Sequence, residues 1–210
     1  MGTVILTWNI QWGRGADGHV SLARQLKQAR EMAEFDVLCL QEVTSGFSDL
    51  PGQPGADQWS ELADALGSEY TVIGGFALER HNGAHVQRFG NAIATRLPVH
   101  YIQRHALPCP PDTTPYMPRM AIEAIVQAAF GALRIVTTHL EYYSELQRVA
   151  QIDALRAIHT EGCARANGAV AKRLGMESAL QLKSPQMMVA LVCASGRKGP
   201  ASGSAPSLAG

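Results

Sequence analysis

Two short apolar runs near the start of the chain, Thr3-Val-Ile-Leu-Thr-Trp-Asn-Ile-Gln-Trp12 and Asp36-Val-Leu-Cys-Leu-Gln-Glu-Val43, decide how the rest is interpreted. Both are of strand length and rich in aliphatic and β-branched residues, which predicts two buried strands of a layered sheet. Each run carries a polar residue that could reach a ligand, Asn9 in the first and Glu42 in the second. A carboxylate and a carboxamide at the ends of neighbouring strands favour a hard-cation site, because Mg²⁺ prefers oxygen ligands and keeps part of its water shell.

A helix is predicted between these two strands. Apolar residues recur at helical spacing from about Val20 to Glu34, which indicates an amphipathic helix. The apolar positions are Leu22, Leu26, Ala29 and Ala33. The second strand, expected over residues 37–40, follows at once. A strand, a helix and a strand joined this closely predict a layered α/β unit with a short crossover.

The remainder of the chain alternates between strand-like and helical patterns. Further strands are predicted over residues 70–76, 88–95, 99–102, 120–128 and 132–138, and helices over 59–66 and from Ser144 to about His159. Residues 79–87 are rich in His, Asn and Gly and are expected to form an exposed turn. Five of the eleven prolines fall between Pro108 and Pro118, so no regular element is expected there.

Composition and charge limit the classes of function. With 210 residues and 46% apolar content, the chain can bury a full core, and we predict a single domain over residues 1–193 and a flexible tail over 194–210. The formal net charge is zero; nucleic-acid binding usually needs a strongly basic face, so a polynucleotide substrate is less favoured. Because no apolar run of membrane-spanning length and no basic leader segment occur, a cytoplasmic protein with reduced cysteines is expected.

Five short motifs follow one another in a characteristic order and spacing. They are Asn9 in Trp-Asn-Ile-Gln, Glu42 in Leu-Gln-Glu-Val, Gly90-Asn-Ala-Ile93 before Leu97-Pro98, Arg119 opening a strand, and Thr138-His-Leu140 before a helix with Arg148 and Gln151. Together they resemble the endonuclease/exonuclease/phosphatase family of Mg²⁺-dependent phosphodiesterases and phosphatases. That family includes abasic-site endonucleases, pancreatic deoxyribonuclease, sphingomyelinases and inositol-phosphate phosphatases. The resemblance covers roughly residues 3–159.

The resemblance implies a fold and a set of roles. The expected fold is an α/β sandwich of two mixed sheets flanked by helices, with the second sheet incomplete and the site at the strand ends. By similarity, Glu42 ligates Mg²⁺, with Mn²⁺ as the alternative ion, and Asn9 helps to hold the metal and the phosphate. His139 hydrogen-bonds or protonates a phosphate oxygen, so that His139, Asn9 and Glu42 form the catalytic set. Asn91 and Arg119 are expected to bind the substrate.

These roles suit the chemistry of a phosphodiester. Negative charge grows on its oxygens in the transition state, so a cation and positioned donors stabilise it. Each residue also has an ordinary structural interpretation: Asn9 as a turn cap, Glu42 as a solvated carboxylate, and His139 as a hydrogen-bonded core histidine. Asn91 and Arg119 are equally compatible with structural hydrogen bonding.

After the last helix the sequence departs from the family pattern. The family's Gly-Asp-Phe-Asn strand end and its terminal Ser-Asp-His are both absent, since no Asp follows Asp153 and no His follows His159. A strand-like run, Met187–Cys193, lies where the first of these motifs would be expected, but it ends without a ligand residue. Two interpretations remain, loss of the C-terminal third or a diverged member that dispenses with both motifs. The abrupt rise in Ala, Gly and Ser favours the first.

Two classes of function are therefore predicted. One is metal-dependent hydrolysis of phosphodiester or phosphomonoester bonds, with a nucleic acid, a phospholipid or a small phosphoester as the substrate. The other is a non-catalytic remnant or pseudoenzyme that binds phosphorylated ligands or a partner. A Rossmann-type nucleotide binder is excluded because no GxGxxG motif follows the first strand.

Overall fold

Two β-sheets with helices on their outer faces form the computed structural model, which describes residues 2–53, 55–83, 85–114, 116–166 and 189–193. The first sheet contains β1 (Ile5–Asn9), β2 (Val37–Ser45), β3 (Thr71–Asn82) and β4 (His85–Thr95). Its strand order is β1-β2-β4-β3, and β1 is parallel to β2 while the other pairs are antiparallel. This sheet is therefore mixed, as the sequence predicts.

The second sheet contains β5 (Val99–Ala106), β6 (Met120–Ala128), β7 (Gly131–Thr138) and β8 (Val189–Cys193), in that order. The first three strands are antiparallel, and β8 is parallel to β7. It is the smaller sheet, since its longest strand has 9 residues against 12 in the first sheet. The predicted α/β sandwich of two mixed sheets is confirmed.

Three helices flank the sheets: α1 (Leu22–Met32), α2 (Gln58–Leu66) and α3 (Glu145–Ala166). Ser21 caps α1, because its side chain accepts a hydrogen bond from the Arg24 amide. Helix α3 continues beyond the end predicted near His159. None of the helices in the described ranges combines the length and the apolar character needed to cross a membrane.

Apolar side chains fill three layers around the sheets. Between the sheets, Val37 and Cys39 of β2 meet Ile122 and Ile135 of the second sheet. The alternate residues of β2, with Leu38 among them, pack on the opposite face in the apolar cluster formed with α1 and α2. Because both faces of β2 are covered, its first four residues, 37–40, form a continuous apolar run. A smaller cluster with Leu155 lies between the second sheet and α3.

The segment 79–87 is a correction to the sequence prediction. The expected exposed turn is instead the end of a long hairpin, because β3 and β4 pair from Thr71 with Thr95 up to Asn82 with His85. Polar residues stabilise the pairing of these strands through cross-strand contacts, such as the 2.7 Å ion pair between Arg88 and Glu79. The predicted absence of regular structure between Pro108 and Pro118 is confirmed for the described residues there.

One further sequence prediction lies outside the structure. The tail expected over residues 194–210 falls outside the described residues, as do Met187 and Met188 of the strand-like run. The rest of that run forms β8.

Candidate active site

Four predicted site residues meet at one edge of the sandwich. Asn9 is the last residue of β1 and Glu42 lies in the second half of β2, which runs parallel to β1. Arg119 immediately precedes β6 and His139 immediately follows β7, and the antiparallel pairing of β6 with β7 brings these two ends together. We refer to Asn9, Glu42, Arg119 and His139 as the strand-end centre.

A β-bulge orients Glu42. The pairing of β2 with β4 shifts register between Gln41 and Val43, and the intervening Glu42 has a φ of 60°. A residue other than glycine is rare and strained in this left-handed region, and such strain is concentrated at functional sites. The bulge interrupts the alternation of the strand, and the Glu42 side chain is left 16% exposed.

Asn9 holds the Glu42 carboxylate in place. Its Nδ2 donates to Glu42 Oε1 at 2.9 Å, and its Oδ1 accepts from the Gln11 amide at 3.0 Å. Since a backbone N–H can only donate, the Gln11 contact fixes which end of the carboxamide faces Glu42. Burial raises the pKa of Glu42, and the hydrogen bond from Asn9 and the charge of Arg119 oppose that rise.

His139 is a buried neutral imidazole in this centre. Its Nδ1 lies 3.2 Å from a guanidinium nitrogen of Arg119 and 3.5 Å from Glu42 Oε1. Burial lowers the pKa of His139 to about 4, with a further decrease from the charge of Arg119 and an opposing increase from Glu141. Because a guanidinium cannot accept a hydrogen bond, Nδ1 is the acceptor and the ring proton resides on Nε2. His139 can therefore donate through Nε2 to a ligand oxygen.

Glu141 is a component of the site that the sequence analysis missed. It is only 1% exposed, and its Oε2 accepts from Arg119 Nε at 3.2 Å. Two backbone amides, those of Met117 and Tyr143, also donate to this carboxylate. Burial alone would raise the pKa of Glu141, but these hydrogen bonds and the Arg119 charge lower it. Arg119 is thus held between Glu141 and His139, which leaves its remaining guanidinium nitrogen for a ligand.

Asn91 serves as a link between the sheets. It is 3% exposed, and its Nδ2 donates to the Met120 carbonyl at 3.2 Å. Gln41, beside it in the register of β2 and β4, donates to Thr137 Oγ1 of β7 at 3.0 Å. These contacts of Asn91 are structural, and the predicted substrate contact of this residue stays a prediction.

The oxygen and nitrogen atoms available at the strand-end centre decide whether it fits the predicted Mg²⁺ ion. In the described part of the chain, no three His, Cys, Asp or Glu side chains are grouped closely enough to hold an ion. Glu42 is the carboxylate at the strand-end centre, and Asn9 already uses both polar atoms within the protein. Mg²⁺ is often bound through one or two carboxylates, several waters and a substrate phosphate, so a single carboxylate fits an ion that the substrate helps to hold.

Comparisons with known proteins agree with this architecture. A family model described as "Endonuclease/Exonuclease/phosphatase family" matches residues 6–166. None of the curated proteins matches the sequence.

Three solved structures share the fold at low sequence identity. An endonuclease/exonuclease/phosphatase from Beutenbergia cavernae is 23% identical with a TM-score of 0.53, covering 68% of this chain and 39% of its own. A mannosyl-6-phosphatase from Bacteroides thetaiotaomicron is 16% identical with a TM-score of 0.53, covering 76% and 60%. A family protein from Leptotrichia buccalis is 16% identical with a TM-score of 0.51, covering 74% and 62%. The chain therefore spans roughly 39% to 62% of the length of these structures.

Proposed function

This chain belongs to the endonuclease/exonuclease/phosphatase family, and on that premise we propose that it hydrolyses phosphate esters at the strand-end centre. The observation that carries the proposal is the contact of Glu42 with Asn9 at 2.9 Å and with His139 at 3.5 Å. A strained and largely buried carboxylate can hold a cation, and the neighbouring neutral histidine and Arg119 can donate to a phosphate oxygen.

Each side chain of the centre has a proposed task. His139 donates from Nε2 to a non-bridging phosphate oxygen, where negative charge grows in the transition state. Arg119 stabilises the same charge and, by donating to Nδ1, keeps the His139 proton on Nε2. Asn9 keeps Glu42 in the orientation that the bulge gives it. Asn91 is proposed to contact the substrate from β4.

The proposed reaction also requires a divalent cation. Glu42 would hold Mg²⁺, or Mn²⁺ in its place, and Asn9 would act on that ion mainly by fixing the carboxylate. When bound, such an ion neutralises phosphate charge and polarises the phosphorus–oxygen bond. The proposed substrate is a phosphodiester or phosphomonoester, from nucleic acid, phospholipid or a small molecule.

A second candidate function is binding of phosphorylated ligands without hydrolysis. The observation that favours it is that Glu42 is the one carboxylate of the site left for a metal, because Glu141 is engaged by Arg119 and two amides, and no larger group of metal ligands occurs within the described ranges. None of the residues assigned above is a general base for the attacking water. The lack of such a base typically lowers the rate of hydrolysis by about 10²–10⁴-fold. Under this alternative, His139 and Arg119 bind a phosphate group that is not cleaved.

Hydrolysis of bis-p-nitrophenyl phosphate with Mg²⁺ distinguishes the two functions. We would compare the wild type with Glu42→Ala, His139→Ala and the control Glu31→Ala, whose carboxylate is exposed on α1. Activity that the first two substitutions abolish and the control retains is expected. Folded protein without activity, which binds inorganic phosphate through His139, would establish the binding function instead. Equal activity in all four proteins would refute both.

A further inference from the structure

A cleft beside the edge strand β1 adjoins the strand-end centre without being part of it. Its volume is about 450 Å³, and it lies between the end of β1, the following loop and helix α1. Asn9 lines it, whereas Glu42 and His139 do not. The other residues used below that line it are Trp8, Arg14, Gly15, Asp17, Arg24 and Gln25. Asn9 lines the cleft and also contacts Glu42, so this residue lies between the cleft and the centre.

A tight loop forms the rim of this cleft. The Ser21 amide donates to the Gly13 carbonyl at 2.9 Å, and the Gly15 amide donates to the His19 carbonyl at 2.9 Å. A side chain at Gly15 would collide with the Arg24 guanidinium, because a Cβ there would overlap Arg24 Nη2. The loop therefore packs against α1 and fixes the position of Arg14 at the rim.

Two polar groups of the cleft have no hydrogen-bond partner in the part of the chain that the structure describes. Gln25 is only 7% exposed, yet its Oε1 has no hydrogen-bond donor among the described residues. The Arg14 Nε is also buried without an acceptor there. Leaving such groups unpaired costs about 1–3 kcal/mol each. Because both residues line this cleft, a ligand that satisfies both groups there would recover that cost.

Charge distinguishes the two arginines of the cleft. Arg24 is neutralised by Asp17 at 2.7 Å and also donates to the His19 carbonyl. Arg14 forms no ion pair with any carboxylate in the part of the chain that the structure describes. The cleft thus offers one uncompensated guanidinium, which suits an anion, and one amide oxygen, which suits a hydroxyl donor.

We propose that this cleft binds a second anionic group of the substrate, carried on a hydroxylated carbon skeleton. In this arrangement Arg14 receives the anion, Gln25 accepts a hydrogen bond from a neighbouring hydroxyl, and Trp8 lies alongside the skeleton. The inference rests on the proposed function, because it treats the strand-end centre as the place where the first phosphate binds. It narrows the substrate to compounds of the class of sugar or polyol bisphosphates.

Calorimetric titration without divalent metal tests this assignment independently of turnover. The probes are glucose 1,6-bisphosphate and glucose 6-phosphate, which differ by one phosphate. We expect the wild type to bind the bisphosphate about tenfold more tightly, as one charge-assisted contact would give. Arg14→Gln should remove this preference, Arg14→Lys should keep part of it, and Gln25→Met should reduce it several-fold.

Lys27→Gln is the matched control, because it removes one positive charge from an exposed position of α1 outside the cleft. It should keep the full preference. Equal binding of the two probes by the wild type, or equal losses in Arg14→Gln and Lys27→Gln, would overturn the assignment. Preferential binding without hydrolysis of bis-p-nitrophenyl phosphate would support the cleft and contradict the proposed function. Hydrolysis without the preference would refute the cleft alone.

Discussion

Glutamate, histidine and arginine come together in the strand-end centre and again, among the described residues, in a buried grouping of the sheet below α3. In the second, which we call the sheet cluster, Glu123 accepts from Arg134 at 2.7 and 2.9 Å and lies 2.8 Å from His105 Nε2. In the strand-end centre, Glu42 accepts one hydrogen bond, from Asn9 at 2.9 Å. The Glu123 carboxylate is thus saturated by its partners, whereas the Glu42 carboxylate is only partly paired.

The pKa of each glutamate reflects this difference. Burial alone would raise the pKa of Glu123, but hydrogen bonds from Arg134 and His105 outweigh it and lower the pKa to about 2. Burial raises the pKa of Glu42, because a single hydrogen bond from Asn9 and the more distant charge of Arg119 do not compensate it. A saturated carboxylate has no capacity left for a ligand, whereas an under-compensated one gains from binding a cation or a proton donor. We therefore infer a structural role for the sheet cluster and a chemical role for the strand-end centre.

Breaking the sheet cluster should have the largest effect. Arg134 is 1% exposed and also donates to the Ile158 carbonyl of α3. Arg134→Met leaves Glu123 buried and charged, so the free energy of unfolding should fall by about 3–5 kcal/mol. Urea denaturation at pH 7 measures this change. The double variant Arg134→Met/Glu123→Leu should recover much of the loss, and a single variant within about 1 kcal/mol of the wild type would contradict the structural role.

Removing the imidazole of the strand-end centre should affect the rate instead. His139→Gln is expected to lower kcat/KM for bis-p-nitrophenyl phosphate by about 10²–10³-fold, the typical cost of losing one positioned donor to a charged oxygen. Steady-state kinetics with Mg²⁺ provides the measurement, and thermal denaturation verifies folding. An unchanged rate in folded variant protein would assign His139 to the core.

Stability should depend on pH through the same histidine. The pKa of His139 is lowered from 6.5 to about 4, so its contribution to stability is complete above about pH 6.5 and is lost as the pH falls towards about 4. That loss amounts to at most about 3 kcal/mol, and the raised pKa of Glu42 offsets part of it. Urea midpoints between pH 4.5 and 7.5 should fall more steeply for the wild type than for His139→Gln. Identical pH profiles would contradict a buried neutral imidazole.

A smaller effect is expected for Asn9. Asn9→Ala frees the Glu42 carboxylate from its 2.9 Å hydrogen bond and should weaken Mg²⁺ affinity by about 10–100-fold, as for residues that orient a metal ligand. The readout is the Mg²⁺ concentration that gives half-maximal rate, compared with the wild type. Asn9→Asp keeps the size of the side chain and serves as a second variant. An unchanged Mg²⁺ dependence in both would show that Asn9 does not orient Glu42.

Much of the fold could be predicted from local patterns. The apolar run at residues 37–40 reflects burial of β2 on two faces. The helical periodicity of α1 reflects burial on one face. The layered unit that they form is therefore evident in the sequence. The hairpin over residues 79–87 was missed because its strands extend beyond the core. Outside the core, ion pairs such as that of Arg88 with Glu79 stabilise the strands, so the sequence shows no alternation of apolar and polar residues. A polar segment that contains glycine has the composition typical of a turn.

In the candidate site, too, some features could be predicted from the sequence and others could not. The motif positions Asn9, Glu42 and His139 were predicted, and the structure brings them together. Nothing local indicates the positive φ of Glu42, because it arises from a register shift between two strands distant in sequence. Glu141 directly follows Leu140 and resembles a solvated carboxylate; its partners become evident only when β6 and β7 are paired.

The most direct test of the contrast between the two groupings is a pair of matched substitutions, Glu42→Gln and Glu123→Gln, each measured for both stability and rate. We expect Glu42→Gln to change the free energy of unfolding by less than about 1 kcal/mol yet to reduce hydrolysis at least about 10²-fold, because it weakens the metal site. We expect Glu123→Gln to lose about 3–5 kcal/mol of stability yet to keep the wild-type rate per folded molecule. Destabilisation of Glu42→Gln as large as that of Glu123→Gln, or an equal loss of activity in both folded variants, would contradict these roles.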